Sequence, residues 1–342
     1  MVYKVQVSSS FKLRVSGAIA SFALLVASCT APTATAPAPG SNAGPANSSA
    51  TTVLRIGFTS ADGSSLPIGP IGWAEQQGYL DDELQDVGIA DVEFYGFDSG
   101  PGVNEAVAAG SVDLSMNGDT PAIVGKTNGL RTRLININTV DINVYLVPKK
   151  GGPETIADLA GGSIGVRVGA IPHRYVVGLL ENAGLTGKVR IVNLTNSEGE
   201  AALARGDIDA YAATAALAYR LQSQGYKVID EATNHDNLAG SNITAATEAF
   251  LTANPSFVEK WHEIIARATR EIQAQPEAYY QFVSDVNKQP VDVSEFTSPI
   301  SQYPSEPLPA SGLENLKQTQ QFLISEKIVK SDFSFDEWVY RP

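Results

Sequence analysis

The sequence predicts an α/β protein of two lobes. Three observations carry this: β-rich runs alternate with helical stretches, one pattern of strand, hydroxyl, helix, glycine, strand and aspartate occurs twice, and a length of 342 residues suits two domains. The repeated pattern is A-x-A-x-G-x-[V/I]-D. It runs from Ala106 to Asp113 and again from Ala202 to Asp209, an offset of 96 residues. Gly110 and Gly206 are placed to end the two helices, because glycine takes the left-handed C-terminal conformation cheaply. Upstream, Ser99 and Thr195 hold the same place, each after an apolar strand and before a helix.

The elements follow in order. The folded part is expected to begin near Val53. Residues 53–58 (Val-Leu-Arg-Ile-Gly-Phe) read as a buried strand, 59–69 as a loop, 71–80 as a helix and 92–97 as a second strand. Between the two copies, 142–147 reads as a strand, 156–161 as a short helix stopped by glycine, 163–168 as a strand, and the stretch from Pro172 to residue 182 as a helix. Residues 189–194 and 226–229 supply further strands. From Asn254 the pattern turns helical, with Asn254 and Pro255 as N-cap and first turn. Phe257, Trp261, Ile264, Ile265, Ala268 and Ile272 follow at helical spacing, and apolar stripes recur over 279–286 and 313–328. These helices are expected to pack on the first lobe with their aromatics in the core and His262 at the surface.

The N-terminus reads as a processing segment. Lys4, Lys12 and Arg14 precede or flank an apolar or small run over 15–26, with no acidic residue before Cys29. That is a secretory signal, too short for a transmembrane helix. The run ends Val26-Ala-Ser-Cys29, which resembles a bacterial lipobox and predicts lipidation at Cys29, the only cysteine. The competing reading is an ordinary signal peptide with an incidental cysteine. Residues 29–52, nearly all Ala, Pro, Thr, Ser, Gly and Asn, read as a flexible tether. The resulting plan is signal 1–28, tether 29–52, first part of lobe 1 over 53–142, lobe 2 over 143–243, and the rest of lobe 1 with the C-terminal helices over 244–342.

Composition narrows the function. Lys and Arg number 24 against 37 for Asp and Glu, a net charge of −13 that becomes −16 without residues 1–28. Nucleic acid is therefore not an expected partner, since phosphate contacts need basic stripes. One cysteine and three scattered histidines give no disulfide and no metal cluster. No H-E-x-x-H, P-loop, G-x-S-x-G or complete G-x-G-x-x-G occurs, so neither a cofactor nor enzymatic activity is predicted. Asp113 and Asp209, at strand starts, are expected to hold backbone rather than to form a catalytic pair.

Open α/β sheets bind ligands beyond the carboxyl ends of their strands, where helix N-termini favour negative charge. The candidates by that rule are Ser64 and Ser65; Ser99 and Gly100; Asp119, Thr120 and Pro121; Gly169 and Ala170; and Thr195 and Asn196, and Leu66, His173, Tyr211 and Thr214 are added as ligand candidates. At each, helix capping or local packing is the competing role.

Taken together, these segments resemble the solute-binding lipoproteins of bacterial ABC importers, in the group for nitrate, sulfonates and taurine. The resemblance is carried by residues 54–58, by Ala74-Glu-Gln-Gln-Gly-Tyr-Leu80, by Phe97-Asp-Ser99-Gly and by 109–113. It continues through Gly118-Asp119-Thr120-Pro121-Ala122, Leu146-Val-Pro148-Lys149, 156–161 and 203–210. It implies the type II periplasmic binding fold: two α/β lobes, two hinge strands near 138–146 and 242–247, and a ligand cleft between the lobes. It also implies a monomer, lipid-anchored on the periplasmic or extracytoplasmic face of a bacterial membrane, that hands a small-molecule solute to a permease and its ATPase. Two departures from the family matter. Gly169-Ala170-Ile171-Pro172-His173 lacks the family's hydroxyls, and Tyr211-Ala-Ala-Thr214 stands where Trp-Asp-Pro is common. A more apolar cleft follows, suited to a larger organic or aromatic solute as well as a taurine-like one. Arg174 is a candidate to restore positive charge, and Arg167 is expected to face away. Two other readings stay open: a sensor or scaffold lipoprotein with a degenerate cleft, and an enzyme like the thiamine-pyrimidine-precursor synthases.

Overall fold

A computed structural model describes residues 3–5, 52–60 and 63–341. Cys29 and nearly all of the expected signal and tether lie outside the described residues. In chain order the strands are β1 (Tyr3–Val5), β2 (Thr52–Thr59), β3 (Ile89–Phe97), β4 (Leu114–Gly118), β5 (Thr132–Ile142), β6 (Tyr145–Pro148), β7 (Ser163–Val166), β8 (Arg190–Asn193), β9 (Ala210–Ala213), β10 (Asp230–Glu231) and β11 (Gly240–Thr247). They form two sheets, ordered β1-β3-β2-β4-β11-β5 and β10-β6-β9-β7-β8.

The repeat in the sequence is a repeat in the fold. In each sheet three parallel strands have the first in the middle: β3-β2-β4 in one and β8-β7-β9 in the other. An antiparallel strand then lies beside the third, β11 next to β4 and β6 next to β9. Ile56 pairs with Phe94 and Leu114 just as Ile164 pairs with Ile191 and Ala210. The two helices of the repeat end before Gly110 and Gly206, at φ of 68° and 77°. Both aspartates do the same work. Asp113 accepts the Arg55 N–H at 3.0 Å and its guanidinium Nη2 at 2.8 Å. Asp209 accepts the Ser163 N–H and the Lys149 ammonium, each at 2.8 Å. Each carboxylate thus anchors the middle strand of its parallel trio, and hydrogen bonding to Lys149 holds the Asp209 carboxyl below its ordinary range.

Parallel strands covered on both faces are apolar along their length. Leu54, Ile56 and Phe58 of β2 share a core with Phe257, Trp261, Tyr279 and Phe282 of the helices Phe257–Ala274 and Pro276–Asn287. Ile137 and Ile243 pack beneath Leu316, Leu323 and Trp338. In lobe 2, Ile164, Tyr175 and Leu179 fill one face of the sheet, and Leu203, Tyr211 and Leu217 the other. Each fully buried side chain of this size contributes about 1.5–3 kcal/mol, so the C-terminal helices are integral to lobe 1.

Several local expectations are corrected. The helix expected over 71–80 is two short ones, Pro70–Gln76 and Leu80–Gln85. The strand expected over 142–147 is broken, because the chain leaves one sheet at Ile142 and enters the other at Tyr145. It returns over 232–239, so the second hinge precedes β11, and residue 244 falls inside that strand. Residues 226–229 carry no ladder, which is confined to β10. Asn254 ends the helix Glu248–Ala253, its amide donating to the Phe250 carbonyl, and Ser256 occupies the next N-cap. His262 is half-buried rather than on the surface. Its Nε2 lies 2.7 Å from the Ile135 carbonyl, and burial lowers its pKa.

Candidate functional site

The six parallel strands point their carboxyl ends at one cleft between the sheets. Thr59 ends β2, Ser99 follows β3, Gly118 ends β4, Arg167 follows β7, Thr195 follows β8 and Thr214 follows β9, and all six border the same cavity of about 500 Å³. Helices start at these points: Gly100–Ala108, Asp119–Thr127, Ile171–Asn182, Asn196–Arg205 and Ala215–Ser223. Their unpaired N–H groups give the cleft a positive potential. A second cavity of about 640 Å³ shares Thr59, Ile171, Pro172, Asn196, Thr214 and Arg220 with the first. Its other walls include Phe58, Ile68, Tyr145, Leu217 and Phe296.

On the lobe 2 wall, polar groups are largely bonded to one another. The Thr195 hydroxyl accepts the Glu198 N–H at 3.3 Å while Glu198 Oε2 accepts the Thr195 N–H at 2.8 Å, a closed capping box, and the hydroxyl also donates to Glu198 Oε2 at 2.9 Å. The Thr195 N–H, and after it the hydroxyl, hold the Glu198 carboxyl below its ordinary range. Asn196 donates to Thr214 and accepts the Tyr211 hydroxyl, each at 3.2 Å. Burial pushes the Tyr211 hydroxyl up to about 12. Arg220 is held by Glu200 at 2.9 Å. Arg167 is the exception, with no hydrogen bond from its guanidinium among the described residues.

On the lobe 1 wall more is left over. Ser99 receives only a long bond, 3.4 Å, from the Gly102 N–H, and its own proton is uncommitted. The side chains of Thr59 and Asn242 make no hydrogen bond among the described residues. Asn117, by contrast, is committed to Gly100, Asn104 and its neighbour Gly118.

The floor joins the lobes. Ile171 of lobe 2 seats against Gly118 and Gly240 of lobe 1, and a Cβ on Gly240 would lie 2.5 Å from it. Behind it Arg174, wholly buried, reaches across to Asp119 at 3.2 Å and Thr120 at 3.3 Å. It also donates to the carbonyls of Asn237 and Ala239 in the returning hinge. At the rim, Tyr219 of lobe 2 donates to Asp292 at 2.6 Å. Phe296, on the helix Val291–Thr297, lies between Tyr145 and Tyr219 with ring centroids 5.7 and 5.4 Å away.

The structure sorts the candidates. Ser64, Ser99, Gly100, Ala170, Thr195, Tyr211 and Thr214 border the cleft. Asp119 and Thr120 do not offer groups to it, because Arg174 and the Ser241 N–H occupy the Asp119 carboxylate. Leu66 is buried in the lobe 1 core, and Ser65 is outside both cavities. Gly169 donates to His173 Nδ1 at 3.4 Å, and burial lowers the His173 pKa, so this pair closes a turn behind the wall. Arg174 supplies no charge to the cleft, and Arg167 borders it rather than facing away. Arg167 lies one residue past β7, where strand alternation no longer sets direction. Sequence reasoning missed Thr59, Asn242, Arg220 and Phe296, whereas Asn196, named together with Thr195, does border the cleft. The strand-end rule could have found Thr59, whereas Phe296 arrives from a distant helix with no local signal. Among the described residues no cluster of His, Cys, Asp and Glu could hold a metal, and no helix is long and apolar enough to cross a membrane.

Comparison with known proteins agrees with this architecture. A protein of Escherichia coli K12, named as an aliphatic sulfonates-binding protein, is 29% identical over 216 residues, covering 60% of this chain but only 62% of its own length. One of the same name from Bacillus subtilis 168 is 24% identical over 257 residues, 73% of this chain and 75% of that protein. The alkanesulfonate-binding protein SsuA of Xanthomonas axonopodis pv. citri, solved bound to MOPS, superposes with a TM-score of 0.70 at 21% identity, covering 85% of this chain and 99% of that one. The desulfurization enzyme DSZB shares the fold at a TM-score of 0.65 and 18% identity, covering 84% and 96%. The fold therefore hosts both binding proteins and an enzyme. The profile of the NMT1/THI5-like family matches residues 68–279, which run from before β3 to beyond β11. This chain belongs to the NMT1/THI5-like family and has the two-lobed fold of the periplasmic binding proteins.

Proposed function

We propose that this protein is the extracytoplasmic solute receptor of an ABC importer, tethered to a bacterial membrane through a lipid on Cys29. In this reading it captures a small organic solute, sulfonate-like or a larger organic acid, between its lobes and delivers it to a permease and its ATPase. The observation that carries the reading is the cleft itself: all six parallel strand ends converge on it, with helix N-termini from both lobes. Such an arrangement recognises and encloses a ligand. The histidine expected near the site, His173, accepts the Gly169 N–H at Nδ1 and is not among the residues that line either cavity. The sulfonate-binding names of two relatives support the ligand class. Mass spectrometry of small molecules released from the purified protein, followed by a thermal-shift panel of sulfonates, nitrate and aromatic acids, tests it. A bound organic acid that raises Tm is expected. Turnover of a panel member would replace the receptor reading with an enzymatic one. For the anchor, Cys29→Ala should move the protein from the membrane pellet to the soluble fraction.

A further inference from the structure

The two cavities differ in chemistry, and together they describe a ligand. Around the smaller one stand Arg167, Ser99, Thr195 and the adjoining helix N-termini. Asp98 also borders it but is engaged in an interaction within the protein. Of the two cations there, Arg220 is hydrogen-bonded to Glu200, whereas Arg167 meets the Glu198 carboxylate through charge alone and keeps its guanidinium N–H groups for a ligand. Around the larger cavity stand two partly exposed aromatic rings, Tyr145 and Phe296, with Ile68, and the nearly enclosed Phe58 and Leu217 behind them. Ile68 is 37% exposed, one of the few large apolar side chains left open in the described protein. The rest of that wall is polar, with the amides of Asn143, Asn287 and Gln289, several hydroxyls, and the Asp141 carboxylate, so the anionic head is placed in the smaller cavity. A volume of about 640 Å³ falls in the range of pockets that enclose drug-sized ligands. A two-carbon amino-sulfonate would leave the aromatic wall in contact with water.

We infer that the cleft selects an organic anion with an aryl tail: a sulfonate or carboxylate head at Arg167 and Ser99, and a ring seated against Phe296 and Tyr145. This rests on the receptor reading above and sharpens its ligand class. Aromatic rings favour edge and offset-face contacts with a ring over an alkyl chain. Phe296 also bridges to Tyr219 at the rim, so a ring seated there touches the contact that closes the lobes.

Calorimetric titration of the purified protein with naphthalene-2-sulfonate, benzenesulfonate, butane-1-sulfonate and taurine tests the inference. The aryl sulfonates should bind about ten-fold more tightly than butane-1-sulfonate and taurine. Arg167→Gln should weaken every sulfonate by about ten-fold, as expected for a lost charged hydrogen bond. Phe296→Leu, which keeps an apolar side chain for folding, should weaken the aryl ligands by about five-fold and leave butane-1-sulfonate within about two-fold. Equal or tighter binding of taurine or butane-1-sulfonate overturns the aryl preference and leaves the receptor reading standing. Aryl binding unchanged in Arg167→Gln overturns the placement of the head. No binding of any sulfonate or of the corresponding carboxylates removes the reading beneath.

Discussion

Ser99 and Thr195 hold the same place in the two halves of one repeat, yet they are used differently. The Thr195 hydroxyl is spent: it gives its proton to Glu198 and accepts from the same residue's N–H. Ser99 has no acid three residues on, where Gly102 stands, and receives one long bond. The contrast extends along both walls. Lobe 2, apart from Arg167, presents polar groups that satisfy each other. Lobe 1 presents Thr59, Ser99 and Asn242 with capacity left over. A shared backbone plan therefore does not fix a shared role, because the residue at the third helical position decides whether a capping hydroxyl is free.

Four measurements can break or sharpen this comparison. The largest effect belongs to the joint that sets the walls facing each other. Arg174→Met leaves the buried Asp119 carboxylate without its cation and should cost about 3–5 kcal/mol in chemical denaturation. The double variant Arg174→Met with Asp119→Leu should recover part of that. A loss below about 1 kcal/mol in the single variant would mean the walls are held by something else. Next, Ser99→Ala should weaken the binding of an anionic ligand by about 1.5–3 kcal/mol with little change in Tm. Thr195→Ala should do the reverse, lowering stability by about 1 kcal/mol through the lost cap and leaving affinity near wild type. If the two results exchange, lobe 2 is the recognising wall and the contrast is inverted.

The smallest effect is a pH dependence. Glu198 has its carboxyl pKa depressed by the Thr195 N–H and hydroxyl. A depressed folded pKa gives stability that is present above the unfolded value of 4.5 and is lost as pH falls through the folded one. Glu198→Gln keeps the hydrogen bond and removes the charge. Thermal melts should show wild type slightly ahead of the variant above that value, and the two curves meeting in acid. A constant gap at all pH values would show that the charge contributes nothing to the cap.

Much of the fold was legible because its signals are local. The β-branched and apolar runs of β2, β3, β7 and β8, the glycines after two helices, and the aspartates at two strand starts are readable within a window of a few residues. Breaks and edges were less so. Residues 142–147 are apolar enough to read as one strand, and only the two sheets decide that the chain crosses between them at 143–144. The amphipathic C-terminal stripes announced buried aromatics correctly, with Trp261 and Tyr279 wholly enclosed.

By itself, the sequence determined the repeat, the α/β class, the two lobes and the hydroxyls at the strand ends. All of these follow from short-range propensity, capping and periodicity. The tertiary structure alone decided which charges face the cleft. Arg174 and Asp119 lie 55 residues apart and cancel one another inside the protein, where desolvation forces pairing. Arg167, just past its strand, is left to the cleft. Phe296 reaches the same cleft from a helix that belongs, by the rest of its neighbourhood, to the other lobe. Charge and aromatic type are written in the chain, but their direction is set by packing between segments far apart in sequence.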